Sequence, residues 1–281
     1  MLGLDRSTLK KLSADRSAGG IRLKSSLCEL FHENTKLTPT SGRVYGQRVA
    51  AFLRSATARK LTANPYKTYT LMDQVALAAV EPRGDLERVI CERRSVRRFS
   101  GEPASPEELA RLLYLTYGRT DLRGPGRPIA SGGGLYPLEL YVTVLNVSGL
   151  EPGLYHYNVE RHCLDVVRSG DTFGELESCL SLQDIEEPRR AALILNVCAM
   201  LPRSTVKYGD RGYRLVLMEA GEAVHNLALL ASAMGLASCP LGGFVDNALS
   251  RYLGIDGVEE VPLVPMVFGR PRKRNGASDA R

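Results

Sequence analysis

The sequence predicts an α/β or α+β protein with one main domain and a mixed β-sheet flanked by helices. Three observations predict it. Apolar, β-rich runs alternate with stretches of helical periodicity from about residue 84 onward. One β-hairpin pattern stands out, near 153–167. The 281 residues are 44% hydrophobic and 24% charged, which leaves ample apolar material for a core and excludes extensive disorder.

The first 80 residues read as a helical N-terminal extension and residues 81–281 as the main domain. Leu2–Leu12, Ser26–Leu37 and Arg43–Arg59 have amphipathic spacing, and Pro39 and Pro65 break the region. Asp85 is the expected N-cap of a helix whose apolar face is Leu86, Val89 and Ile90, with Glu87 in the first turn. Ser105-Pro106-Glu107-Glu108 starts another helix, with Ser at the N-cap and Pro at N1. Leu109, Leu112, Leu113 and Thr116 continue it, and Gly118 ends it. Arg119–Leu135 reads as loop. Strands are expected at Leu138–Val147, Gly153–Tyr157, His162–Val167 and Ala191–Met200. Tyr213–Leu236 spaces its apolar residues as a long helix, with small residues along it. A strand-like stretch at Leu236–Phe244, a helix near Val245–Leu253 and a strand at Val261–Phe268 follow. No internal repeat is present.

Charge and cysteine usage exclude several classes. Lys and Arg total 37 against 31 Asp and Glu, a net charge of +6. The six cysteines have no C-x-x-C spacing and read as reduced, mostly buried thiols of a cytoplasmic protein, with no metal site. No helix-turn-helix, zinc finger or aromatic-studded basic surface argues for nucleic acid. No apolar run approaches the roughly 18 to 20 residues of a membrane helix, and the charged N-terminus has no secretory pattern.

Three clusters carry chemistry. Arg93-Arg94-Ser95-Val96-Arg97-Arg98 packs four guanidiniums into six positions, either a solvated basic face or a site for a phosphate-bearing ligand. Ser131-Gly132-Gly133-Gly134-Leu135-Tyr136-Pro137 leads into a strand; its glycines let a backbone lie against a planar ligand or expose N–H groups. It is neither a P-loop nor a dinucleotide fingerprint. Pro240-Leu241-Gly242-Gly243-Phe244 is either only a tight turn or a position that presents a backbone N–H to a ring nitrogen.

The order R-x-S-x-R, Ser-Gly loop, long small-residue helix, Gly-Gly-Phe and terminal Gly-Arg-Pro resembles the FMN-dependent nitroreductase superfamily. SGGGLYPLELYV (131–142), GLYHYNVERHCL (153–164), KYGDRGYR (207–214), PLGGF (240–244) and FHENTKL (31–37) resemble its SagB-type thiazoline/oxazoline dehydrogenases. The resemblance spans roughly residues 25–271. It implies an α+β nitroreductase-like fold and FMN held at the interface of a homodimer. It places Arg93, Ser95 and Arg97 on the ribityl chain and phosphate, with Arg94 a backbone neighbour. Ser131, Gly132, Gly133 and Gly134 approach the flavin of the partner subunit, though Gly134 stands where a typical nitroreductase has Asn. Gly243, beside Gly242, lies near flavin N5, and Arg270 or Arg272 helps neutralise the phosphate.

The resemblance also makes Lys207-Tyr208 the catalytic pair, because general nitroreductases lack it. Aromatising an azoline sends a hydride to flavin N5 and a proton to a base. A lysine serves as that base when desolvation or nearby positive charge lowers its pKa; Arg203, Arg211 and Arg214 are the sequence neighbours for that role. The implied substrate is an azoline-containing peptide and the implied partner a cyclodehydratase. Two other readings stand beside it: an NAD(P)H-dependent nitro- or quinone reductase, and a non-catalytic scaffold subunit of a biosynthetic complex.

Overall fold

The computed structural model describes residues 26–272 apart from Asn64, Thr68, Leu122 and Pro125; the helix expected over Leu2–Leu12 lies outside them. The extension contributes α1 (Leu27–Thr35), α2 (Pro39–Arg54) and α3 (Ala56–Thr62). Then come α4 (Gly84–Glu92), α5 (Pro106–Tyr117), β1 (Leu138–Val144), β2 (Gly153–Asn158), β3 (Cys163–Ser169) and α6 (Phe173–Cys179). After these follow β4 (Leu193–Met200), α7 (Leu201–Tyr208), α8 (Arg211–Ala233), β5 (Ala237–Pro240), α9 (Asp246–Leu253) and β6 (Glu260–Gly269).

The six strands form one sheet in the order β3-β2-β1-β4-β6-β5. Every ladder is antiparallel. The parallel pairs that a mixed sheet implies are isolated bridges, Arg98 with Glu186 and Ala104 with Val147. The mixed sheet expected from the sequence is thus corrected to an antiparallel one, because the alternation of strands and helices does not by itself fix strand direction.

β4 shows how the layers form. All eight of its residues are buried. Leu193, Leu195, Val197 and Ala199 face α5 and α8, whereas Ile194 and Cys198 face α6 and α9. A strand covered on both faces needs apolar residues at nearly every position. On α8, Val216, Ala220, Ala223, Leu227 and Ala231 are buried, so the small residues let the helix lie close to the sheet. By length and composition α8 would also suffice to cross a membrane; its packing against the sheet accounts for that apolarity.

Local signals set the helix ends. Ser105 Oγ accepts from Glu108 N (3.1 Å) and Glu108 Oε2 accepts from Ser105 N (2.8 Å), a complete capping box on α5. For α4, the expected N-cap Asp85 lies inside the helix. Arg83 is the cap residue, without a side-chain cap bond. Glu87 instead accepts from the Arg83 N–H, which satisfies the end from within. Cys163, expected among the buried thiols, is exposed on the β-hairpin.

The extension docks beside the long helix. His32 is buried and its Nδ1 is 3.1 Å from the Tyr213 hydroxyl. Leu37 N donates to Asp246 Oδ2 (2.8 Å), and Asp246 N donates back to Leu37 O (3.2 Å). These bonds tie residues 28–37 to the starts of α8 and α9.

Candidate functional site

Two groups of predicted residues assemble, each on its own part of the sheet. The first begins where α4 ends. Val96 N donates to Ser238 O (2.9 Å), which ties the arginine-rich segment to β5. Arg98 pairs with Glu186 at 2.8 Å, and Arg94 turns its guanidinium back onto the carbonyls of Cys91 and Arg93. Arg93 and Arg97 form no ion pair, and the Ser95 hydroxyl no hydrogen bond, among the described residues. The charge of Arg97 reaches buried Cys239 on β5, whose thiol is pushed up by burial and drawn down by Arg97.

Two residues past β5 lie Gly242 and Gly243. The Gly243 carbonyl accepts from Ser181 N at 2.8 Å. Neither glycine N–H donates to another described residue. A Cβ on Gly242 would meet nothing within 4 Å, so its surface is open. Among the described residues, two guanidiniums without an ion pair, a hydroxyl without a hydrogen bond and two undonated N–H groups thus belong to the segments that flank β5. That donor set suits a ligand with an anionic phosphate and a ring bearing acceptor atoms.

The second group centres on Gly133. Its φ of +68° is left-handed, which favours glycine. A Cβ there would lie 2.6 Å from Lys207 Nζ and collide with the Tyr208 hydroxyl as well. The Ser-Gly loop and the Lys-Tyr pair, 74 residues apart in sequence, therefore meet. Lys207 and Tyr208 end α7, and the chain reverses into α8 through Gly209 and Gly212. A Cβ on Gly212 would sit 2.9 Å from the backbone of Ser204, so only glycine permits this close turn.

Residues that sequence reasoning left unassigned support the loop. Glu219, on the buried face of α8, accepts from Ser131 Oγ (2.6 Å) and from the Tyr117 hydroxyl (2.8 Å). Burial pushes its carboxyl up, against the pull of those two donors. The signal was present: Glu219 lies three residues from Val216 and four from Ala223, on the apolar stripe. Arg127 lies over the rings of Tyr117 (4.2 Å) and Tyr136 (4.7 Å).

Several residues named from the sequence have partners within the chain. Arg203 does not point its charge at Lys207; it pairs with Glu139 on β1 and donates to the Tyr136 carbonyl (3.3 Å). Arg270 pairs with Glu108 (2.8 Å) and Arg272 with Glu187 (3.0 Å). The backbone next to them does meet the arginine segment, through Ser100 N to Arg270 O and Arg272 N to Arg98 O. Ser131 spends its hydroxyl on Glu219. No hydrogen bond or ion pair among the described residues joins the Arg93–Gly243 group to the Gly133–Lys207 group. A half-open apolar cleft of about 230 Å³ between α5 and the β2–β3 hairpin contains none of the predicted site residues.

This sheet and these loops define a class. Residues 90–270 match the nitroreductase family, and the chain belongs to that family of oxidoreductases. Particular relatives narrow the comparison. MJ1384 of Methanocaldococcus jannaschii, a nitroreductase by name, is 40% identical over 187 residues, 66% of this chain and 90% of that protein. The microcin B17-processing protein McbC of Escherichia coli is 30% identical over 165 residues, 57% of this chain and 60% of McbC. A chain of the E. coli microcin synthetase McbBCD complex, with truncated pro-MccB17 bound, shares the fold. Its TM-score is 0.62 over 97% of this chain and 99% of that one, at 21% identity.

Proposed function

We propose that the chain is an FMN-dependent dehydrogenase that oxidises thiazoline or oxazoline rings of a peptide to thiazoles or oxazoles. The observation that carries this reading is the convergence of Lys207 and Tyr208 on Gly133. A base with a hydroxyl beside it, set against a flat glycine backbone, suits removal of a ring proton. Kinship with the microcin B17-processing protein McbC supports a peptide substrate.

Arg93, Ser95 and Arg97 would hold the FMN phosphate and ribityl chain, and the Gly242 and Gly243 N–H groups would face its ring. FMN, when bound there, would supply the two-electron acceptor for the ring's hydride, with dioxygen as the final oxidant. Lys207 takes the proton that leaves the azoline carbon, and the Tyr208 hydroxyl positions the ring or relays that proton. The two residue groups are completed across a homodimer. Exposed Leu86 and Ile90 on α4 and Leu217 and Met218 on α8 supply apolar surface for it. A cyclodehydratase is the expected partner, since azolines must be made before they are oxidised.

Incubating the flavin-loaded protein with an azoline-containing peptide tests the reading: each ring oxidised removes about two mass units, the mass of two hydrogens. The 40% identity to MJ1384 favours a second reading, an NAD(P)H-dependent nitro- or quinone reductase. Rapid NAD(P)H consumption with a nitroarene and an unchanged peptide mass would select it.

A further inference from the structure

We infer that Glu219 is a positioning residue, which locks the Ser-Gly loop in the shape that meets Lys207 and Tyr208. Two N–H groups flank Pro137, which has none of its own. Tyr136 N donates to Ser131 Oγ at 2.8 Å, and Leu138 N donates to the Tyr117 hydroxyl at 2.9 Å. Both hydroxyls then donate to the same carboxylate, Ser131 to Oε2 and Tyr117 to Oε1 of Glu219. One buried carboxylate thus organises both backbone donors through two parallel relays, one from the loop itself and one from α5.

The geometry held in this way is not one the loop adopts freely. Tyr136 has a φ of +44°, in the left-handed region, where a residue with a large side chain needs outside support. The next residue on α8's exposed side adds a stitch, with Glu222 Oε2 accepting from Ala130 N at 3.2 Å. At the far end, Arg203 grips the Tyr136 carbonyl and Glu139 from α7, the helix that carries Lys207. The loop is therefore fixed at Ala130, Ser131, Tyr136 and Leu138, with Gly133 at its exposed tip. Ser131 gives its only proton to Glu219 and accepts from Tyr136 N, so its hydroxyl is committed to the shape of the loop.

This inference rests on the proposed role of Lys207 and Tyr208, and its test separates the two. Glu219→Gln keeps the side chain's volume but cannot accept from both hydroxyls without turning an amide against one of them. Ser131→Ala removes one relay and leaves the buried carboxylate bonded to Tyr117. Amide hydrogen exchange of the flavin-loaded proteins should quicken roughly tenfold at Tyr136 in both variants, as expected for loss of one hydrogen bond, with β4 unchanged. Azoline oxidation should lose about 100-fold in kcat with KM little altered, since a misplacement near 1 Å has that effect. Ser131→Ala should retain FMN as tightly as the wild type.

Unchanged exchange at Tyr136, or FMN lost from Ser131→Ala, overturns the inference. So does loosened exchange with full kcat. If the wild type itself leaves the azoline peptide unoxidised, the functional reading fails and exchange alone judges the clamp. If Glu219→Gln does not fold, Ser131→Ala carries the same exchange and turnover arms.

Discussion

Lys207, Tyr208 and Gly133 make separable predictions because they touch one another yet have different chemistry. Lys207→Ala and Tyr208→Phe leave the arginines and the Gly-Gly turn untouched, so the protein should purify yellow. Azole formation should fall by about 100-fold or more, the range for loss of a positioned acid–base group. Product mass against time, normalised to bound flavin, measures it. Gly133→Ala places a methyl group 2.6 Å from Lys207 Nζ on a left-handed backbone. It should lower turnover comparably and cost about 1 kcal/mol of stability, read by denaturant unfolding. Arg93→Ala with Arg97→Ala should release FMN, because each charge-assisted contact is worth about 1.5 to 3 kcal/mol; flavin retained through gel filtration would contradict the phosphate role. At this scale sequence was informative for residue type and silent on pairing. Four arginines in six positions are visible in a string of letters. That Glu186 neutralises Arg98, Glu108 holds Arg270 and Glu187 holds Arg272 depends on tertiary proximity.

At the scale of elements, what was legible followed local rules, and what was not depended on neighbours. The Ser105–Glu108 capping box, the 153–169 hairpin and the fully apolar β4 announce themselves through spacing. Arg83 displaced Asp85 as the α4 cap because Glu87 satisfied the free N–H from inside the helix. Glu219 was undecidable until Tyr117 and Ser131 supplied donors from other elements. The junction of β1, β2 and α7 has a pH signature of its own. Glu139 lies between His156 Nε2 (2.8 Å) and Arg203, with the Tyr141 ring 5.0 Å from the imidazole and Asp165 at 3.9 Å. Burial lowers the His156 pKa, but the Glu139 bond and the nearby carboxylates of Glu139, Glu260 and Asp165 outweigh it and raise the net value. Burial likewise raises that of Glu139, and His156 with Arg203 more than reverse it. A raised histidine contributes fully below its unfolded value near 6.5 and loses that contribution as pH climbs through the folded value. A lowered carboxylate contributes above about 4.5 and loses it on acidification. The pair therefore stabilises most between about pH 4.5 and 6.5. His156→Gln should lower the melting temperature more at about pH 6 than at about pH 8.5, and an equal loss at both would refute the linkage.

For the whole molecule, the division of the site into two groups has to be reconciled with one reaction. Arg93, Arg97 and Gly243 belong to the β5 edge; Gly133, Lys207 and Tyr208 belong to the loop and the α7–α8 turn. A single copy joins them by no hydrogen bond or ion pair among its described residues. The same copy leaves Leu86 at 69% exposure, Met218 at 63%, Ile90 at 49% and Leu217 at 41%, on two helices that pack together. Side chains of this size contribute about 1.5 to 3 kcal/mol each when buried, and a two-fold interface counts each twice. Leu86→Glu with Ile90→Glu should therefore weaken self-association by about 100-fold or more, which sedimentation velocity reads as a shift to monomer. Neither residue belongs to the capped ends, the sheet or the buried face of α8, so the far-ultraviolet circular dichroism should stay as in the wild type. If the site is completed between copies, the monomeric variant must lose both FMN retention and azoline oxidation even though every residue named in either group is intact. A folded monomer that stays yellow and turns over would show instead that one chain closes its own site, and the homodimer would then have no part in the chemistry.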